Sequence, residues 1–244
     1  MGFARGRASP CCYYHPALDV RCIVHGDDFV LTGREQALEE VKAGMHERFL
    51  LKELGRLGGG QGELREMRVL NRVIQWTPAG LRYEADPRQA EKLIHDTELQ
   101  GANSVTTPGV KPLTHQLEQE QPLSMSDFTR FRGHAARANY LGPDRPDIIY
   151  AAKEVCRGMS SPTDLHQAAL KRMVRYLRSR PRMVFKFDYQ DADHIDAYAD
   201  TDWAGCPRSR RSTSGGCVML GTDLLKTWSS TQAGVPMSSV ESEF

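Results

Sequence analysis

The sequence predicts an α+β chain, with β-hairpins towards both ends and a run of helices between them. Three observations lead to this. Near the start, two β-prone runs, Asp19–Val24 and Phe29–Thr32, flank the turn-forming residues Gly26, Asp27 and Asp28. From 126 to 179 apolar residues recur at helical spacing between clear stop and start signals. From 194 to 228 the pattern becomes strict alternation followed by a tight hairpin.

The chain has 244 residues, enough for one large or two ordinary domains. Its 40% hydrophobic and 26% charged fractions are those of a chain that builds a core, not of a disordered one. The net charge of +1 does not advertise a nucleic-acid binder, so local charge matters more than the sum. Six of the twelve residues from Lys171 to Arg182 are basic, and three arginines fall between Pro207 and Arg211. None of the six cysteines forms a Cys-x-x-Cys pair, which points to a reduced, intracellular chain. Its apolar runs are too short to span a bilayer, so no membrane partner is expected.

Taken in order, the first hairpin is followed by an amphipathic helix over 34–54, with Leu38, Val41, Met45 and Phe49 on one face. Glycines at 58, 59, 60 and 62 break regular structure, and no Lys-Ser/Thr follows to make them a phosphate loop. Residues 67–76 read as paired strands around Asn71-Arg72, and 80–86 lead into a helix with Pro87 near its start. Residues 111–125 are polar and flanked by proline, as in a linker. Ser126 or Asp127 is expected to cap a helix to about Leu141, which Gly142-Pro143 ends. A second helix is expected from Arg145 to about Met159. A third starts at Ser161-Pro162-Thr163-Asp164 and carries the apolar stripe Leu165, Ala169, Met173, Tyr176 and Leu177.

The closing stretch carries the densest chemistry. Asp196, Tyr198, Asp200 and Asp202 share one face of a predicted strand. Two further strands are joined through 221–223, and a helix starts after Pro236 with Glu241 and Glu243. These glutamates cannot share a helix face, so one of them is expected to aim at Asp200. Carboxylates in this order suit a divalent-metal site for phosphodiester chemistry; a solvated strand and a charged helix start fit the residues equally well. The same two readings hold for Asp27 and Asp28, as plain turn formers or as adjacent carboxylates for a metal and a nucleotide's phosphates. Lys171, Arg172, Arg175 and Arg178 crowd the outer faces of the third helix, as a solvated surface or as phosphate contacts.

The wording of several blocks resembles the Pol polyprotein of copia-type LTR retrotransposons. Tyr198–Gly205, Arg210–Gly215 and Ser238–Phe244 follow, in order, the blocks that open the ribonuclease H domain of that family. His25-Gly26-Asp27-Asp28 followed by Leu31-Thr32-Gly33 resembles the reverse-transcriptase hairpin, with His25 where the family has tyrosine. Asn139-Tyr140-Leu141, Arg145-Pro146-Asp147-Ile148, Ser161-Pro162-Thr163, His166 and 171–177 also keep the family's order. The resemblance is strong at 20–33 and 126–244 and weak at 56–125.

The resemblance implies a partial reverse-transcriptase palm with a following hairpin and helix (1–110), a linker with a helical thumb or connection region (111–190), and the first half of a ribonuclease H-like fold (191–244). It implies RNA-directed DNA synthesis at Asp27 and Asp28 and hydrolysis of RNA in RNA·DNA hybrids at Asp200 and Glu241, all four as Mg²⁺ (or Mn²⁺) ligands. The partners implied are an RNA template, a DNA primer, the RNA·DNA hybrid, deoxynucleoside triphosphates and the rest of the polyprotein. The setting implied is a cytoplasmic particle with a nuclear stage. By the family's pattern, one polymerase carboxylate lies upstream of the hairpin and further nuclease acids lie beyond Phe244, so both sites are expected to be incomplete here. The alternative is a catalytically inactive retroelement remnant or a nucleic-acid-binding piece.

Overall fold

A computed structural model of the chain describes residues 1–243; Phe244, which closes the Ser238–Phe244 block, lies outside the described residues. The chain is mixed helix and sheet, and it divides into two compact units, Met1–Gly55 and Arg56–Phe244.

The first unit is an antiparallel meander of β1 (Ala4–Arg5), β2 (Cys12–His15), β3 (Val20–His25) and β4 (Asp28–Thr32), followed by α1 (Glu35–His46). Its small core is Val20 against Val41 and Met45 of α1, with Leu31, Leu38 and Phe3 packed around them. The expected helix to Leu54 stops eight residues early. Beyond Met45 the helical stripe does not continue into the core: Phe49 and Leu54 are exposed and Leu50 fully so, while Leu51 returns to the core from non-helical chain. A helix whose stability comes from its packed face ends where the packing ends.

The second unit joins two sheets to a helical core. β5 (Glu66–Val69), β6 (Arg72–Thr77) and β7 (Gly80–Glu84) form an antiparallel meander. Its first turn is Leu70-Asn71, both with positive φ (48° and 65°), the signature of a type I′ hairpin. The turn therefore lies one residue before the expected one. The sheet is closed by β8 (Val184–Asp188), which pairs with β7 from a hundred residues away. Gly80 permits this: a Cβ there would lie 2.0 Å from the Phe187 carbonyl oxygen.

The core is built by α2 (Pro87–Asp96), α4 (Met125–Leu141), α5 (Ile149–Arg157) and α6 (Asp164–Ser179); the short α3 (Thr114–Glu118) precedes α4. Leu93, Phe131, Ile148, Leu170, Met173 and Leu177 are fully buried within it. One cap differs from expectation. Ser124, not Ser126 or Asp127, caps α4 by accepting from the Asp127 amide at 3.2 Å. Thr163 caps α6, and the His166 ring accepts from the Thr163 amide at 3.1 Å. Burial pushes His166 below the usual histidine range, which keeps the ring neutral for that role. The stretch expected as a linker is held to the rest of the unit. It carries α3, and Glu120 forms a two-pronged ion pair with Arg208 while accepting from the Thr163 hydroxyl at 2.8 Å.

The third sheet is β9 (Ile195–Asp202), β10 (Thr213–Leu220) and β11 (Asp223–Thr231), antiparallel with β10 central. The two-residue turn Gly221-Thr222 joins β10 to β11. Gly216 on β10 lies under the Trp228 ring, where an added Cβ would meet the Tyr198 carbonyl oxygen at 2.2 Å. The last element, α7 (Ser239–Glu243), packs against β9.

Candidate functional site

Asp27 and Asp28 sit at the tip of the β3–β4 hairpin. His25 pairs directly with Asp28, leaving Gly26-Asp27 as a two-residue turn. Gly26 has φ 63° and Asp27 does not have a positive φ, the pattern of a type II′ turn with glycine at its first central position. Both carboxylates are exposed, and no protein group among the described residues pairs with either. The geometry leaves their oxygens free for an outside ligand.

Asp200 stands on β9, an edge strand, opposite Gly215 of β10. It is exposed and unpaired among the described residues. Glu241 lies on α7, the helix packed against β9, the strand that carries Asp200. The Glu241 carboxylate has a second duty. One oxygen accepts from the Met237 amide at 2.7 Å, while Ser238 accepts from the Glu241 amide at 3.1 Å. That reciprocal pattern fixes the start of α7 and leaves the other Glu241 oxygen available. Gln232 ties the helix down by donating to Ser214 at 2.9 Å and to the Ser242 carbonyl at 2.6 Å. No group of three or more acidic, histidine or cysteine side chains is gathered as a metal centre among the described residues.

Asp202, two residues along the same face of β9, is spoken for. One oxygen accepts from the Thr213 amide, the other from Lys111 at 3.1 Å. Lys153 of α5 reaches the Thr213 hydroxyl at 2.8 Å. Nearby, Arg157 donates to the buried Cys206 sulfur at 3.0 Å and pairs with Glu154. Burial pushes the Cys206 thiol up, but hydrogen bonds from Ser209 and Arg157 outweigh it and bring it down to about 7. Sequence reasoning passed over this polar seam between α5 and the third sheet. Its partners come from positions dozens of residues apart, and no local pattern joins them.

The basic face of α6 is also more structured than its sequence indicates. Arg172 donates to the Thr107 hydroxyl at 2.7 Å, Arg175 to the Asn103 carbonyl at 2.6 Å and Arg178 to the Gln100 carbonyl at 2.5 Å. Lys171 remains exposed beside them.

No family model matches the chain, and no solved structure does. An uncharacterized mitochondrial protein of Arabidopsis thaliana is 28% identical over 223 residues, which is 91% of this chain and 88% of that protein. The retrovirus-related Pol polyproteins from transposons RE1 and RE2 of the same plant are 32% and 31% identical across 92% and 91% of this chain. The chain spans 15% and 14% of their lengths. What the similarity defines is a segment of a mobile-element polyprotein. The chain belongs to the retrovirus-related Pol polyproteins of copia-type retrotransposons. No helix among the described residues is long and apolar enough to cross a membrane.

Proposed function

We propose that this segment supplies carboxylates to two sites of a Mg²⁺-dependent Pol polyprotein. Asp27 and Asp28 serve RNA-directed DNA synthesis, and Asp200 and Glu241 serve hydrolysis of RNA in RNA·DNA hybrids. On this reading residues 1–110 are a partial palm with its following hairpin and helix, 111–190 a linker and thumb or connection region, and 191–244 the first half of a ribonuclease H-like domain. The observation that carries the nuclease part is the packing of α7 against β9, which brings a second acid beside the strand that bears the unpaired Asp200.

The donor set is all carboxylate oxygen, which suits Mg²⁺ or Mn²⁺ and disfavours softer metals. Bound there, a hard cation supplies Lewis-acid activation of the attacking oxygen and neutralises the leaving one. The chain's own part is to hold the carboxylates. Asp27 and Asp28 are presented by a tight hairpin, Asp200 by the pairing of β9 with β10, and Glu241 by a helix start that its own side chain fixes. Lys171, Arg172, Arg175 and Arg178 contribute positive charge for phosphates, and hybrid recognition rests on shape, 2′-hydroxyls and backbone. The remainder of the polyprotein completes both sites and supplies the particle setting.

Paramagnetic Mn²⁺ tests the nuclease site without requiring turnover. The expected result is broadening of backbone amide signals around Asp200 and Glu241, lost in Asp200→Asn. In parallel, hydrolysis of an RNA·DNA hybrid by the chain with Mg²⁺ is expected to vanish in the same variant while hybrid affinity is retained. Absence of broadening, or hydrolysis unaffected by Asp200→Asn, overturns the assignment.

A further inference from the structure

Segment 100–107, between α2 and α3, lies along the basic side of α6. Four arginines hold it. Arg178, Arg175 and Arg180 donate to the carbonyl oxygens of Gln100, Asn103 and Thr106 at 2.5, 2.6 and 3.3 Å, and Arg172 donates to the Thr107 hydroxyl at 2.7 Å. Leu99 and Val105 anchor it to the helical core.

Every acceptor in this set is neutral. Elsewhere in the unit arginines meet carboxylates: Arg72 with Asp144, Arg88 with Asp86, Arg145 with Asp147, Arg182 with Glu84 and Arg208 with Glu120. Among the described residues no carboxylate pairs with Arg172, Arg175, Arg178 or Arg180. The Arg172 Nε is moreover buried without an acceptor. A guanidinium has five donors, so the segment uses only a fraction of what the four arginines offer. Their charge stays uncompensated beneath a piece of chain that contains no acid.

We propose that segment 100–107 is a displaceable cover over a phosphodiester-binding face of α6. This rests on the reading of that face as a nucleic-acid contact and adds its regulation. A phosphate oxygen makes charge-assisted bonds roughly twice as strong as a neutral carbonyl does, so a nucleic-acid backbone competes for the same donors. Arg172 to Arg180 span about 12 Å of helical rise, along which a duplex presents on the order of seven phosphate charges. When the strand takes the arginines, the carbonyls of Gln100, Asn103 and Thr106 return to water and the segment is left with its two apolar anchors.

Amide hydrogen exchange of the unaltered chain, with and without a short RNA·DNA hybrid, reads the cover directly. Exchange over 100–107 is expected to rise on binding; protection that is unchanged or increased overturns the proposal. Val105→Ser weakens an anchor without touching an arginine and is expected to tighten hybrid binding, by up to about tenfold if the whole burial of that side chain is lost. Unchanged or weaker affinity in a folded Val105→Ser chain counts against the cover; should that variant not fold, the exchange measurement decides. The combined Arg172→Gln, Arg175→Gln and Arg178→Gln variant separates the two readings. It is expected to make the slope of log affinity against log salt shallower by about 2.7. If affinity and slope are unaffected, α6 is not a nucleic-acid face. If both fall while exchange over 100–107 never responds to hybrid, the face stands and the cover alone fails.

Discussion

Arg145 offers a sharp test of how the second unit is held together. Its side chain is only 2% exposed and forks onto Asp147, with Nε to Oδ1 at 2.9 Å and Nη2 to Oδ2 at 2.7 Å. The same guanidinium donates to the carbonyls of Arg180 and Pro181 at 2.8 and 3.1 Å. Those carbonyls lie at and just past the C-terminal end of α6, where backbone acceptors lack helical partners and the dipole favours a cation. Arg145→Met therefore strands a nearly buried carboxylate and two carbonyls. Losing one partner of a buried pair costs about 3–5 kcal/mol, and each orphaned carbonyl adds roughly 1 kcal/mol or more. The expected loss is about 5 kcal/mol, a large share of the roughly 5–15 kcal/mol that keeps a domain folded. Urea unfolding followed by tryptophan fluorescence measures it, because Trp76, Trp203 and Trp228 all lie in the second unit. Adding Asp147→Leu is expected to restore about 3 kcal/mol, since removing the stranded charge removes its penalty. Arg145→Lys, with its charge but no fork, is expected to fall between. A loss below about 1 kcal/mol for Arg145→Met, or no recovery in the double variant, refutes the reasoning.

Two further outcomes follow from the same unit. Gly216→Ala places a Cβ against the Tyr198 carbonyl and the Trp228 ring, so it is expected to cost about 1–3 kcal/mol and to alter Trp228 fluorescence; native stability in this variant would show that β9 and β11 shift freely. Tyr83 and Tyr150 are pushed up to about 12, chiefly by burial and then by Asp144 and Glu154 respectively. Both phenols hold their protons in the folded state after the unfolded chain has begun to lose them. Their contribution is complete below about pH 10 and is lost as pH rises towards about 12. Stability measured across that window is expected to fall less steeply in the Tyr83→Phe, Tyr150→Phe double variant, and an identical slope would count against the assignment.

Much of the local structure was legible in the sequence. Glycine at 26 and 221, alternation along 195–202 and the apolar stripe of 165–177 gave hairpins and helices in the right places. These signals reach only as far as a turn, a strand pair or a few helical turns. The Asp27-Asp28 tip and the acids on β9 and α7 could be singled out for the same reason: each is set by its own short block. The boundaries missed were set by packing and by which nearby hydroxyl reaches an amide. The helix expected to Leu54 ends at His46, after which Leu50 and Leu54 stay exposed, and the cap of α4 moves to Ser124, whose hydroxyl reaches the Asp127 amide.

By itself, then, the sequence determined the α+β class, the order of elements and the candidate carboxylates, because propensity, periodicity and turn chemistry are local. Tertiary structure alone decided which groups are free. It closed the second sheet with β8, committed Asp202 to Lys111, and gave Glu241 a cap to hold. It laid segment 100–107 over the arginines of α6, whose partners lie 65 to 78 residues away. Hydrogen-bond and ion-pair partners are chosen by proximity in space, and no spacing along the chain encodes which carbonyl or carboxylate an arginine will find.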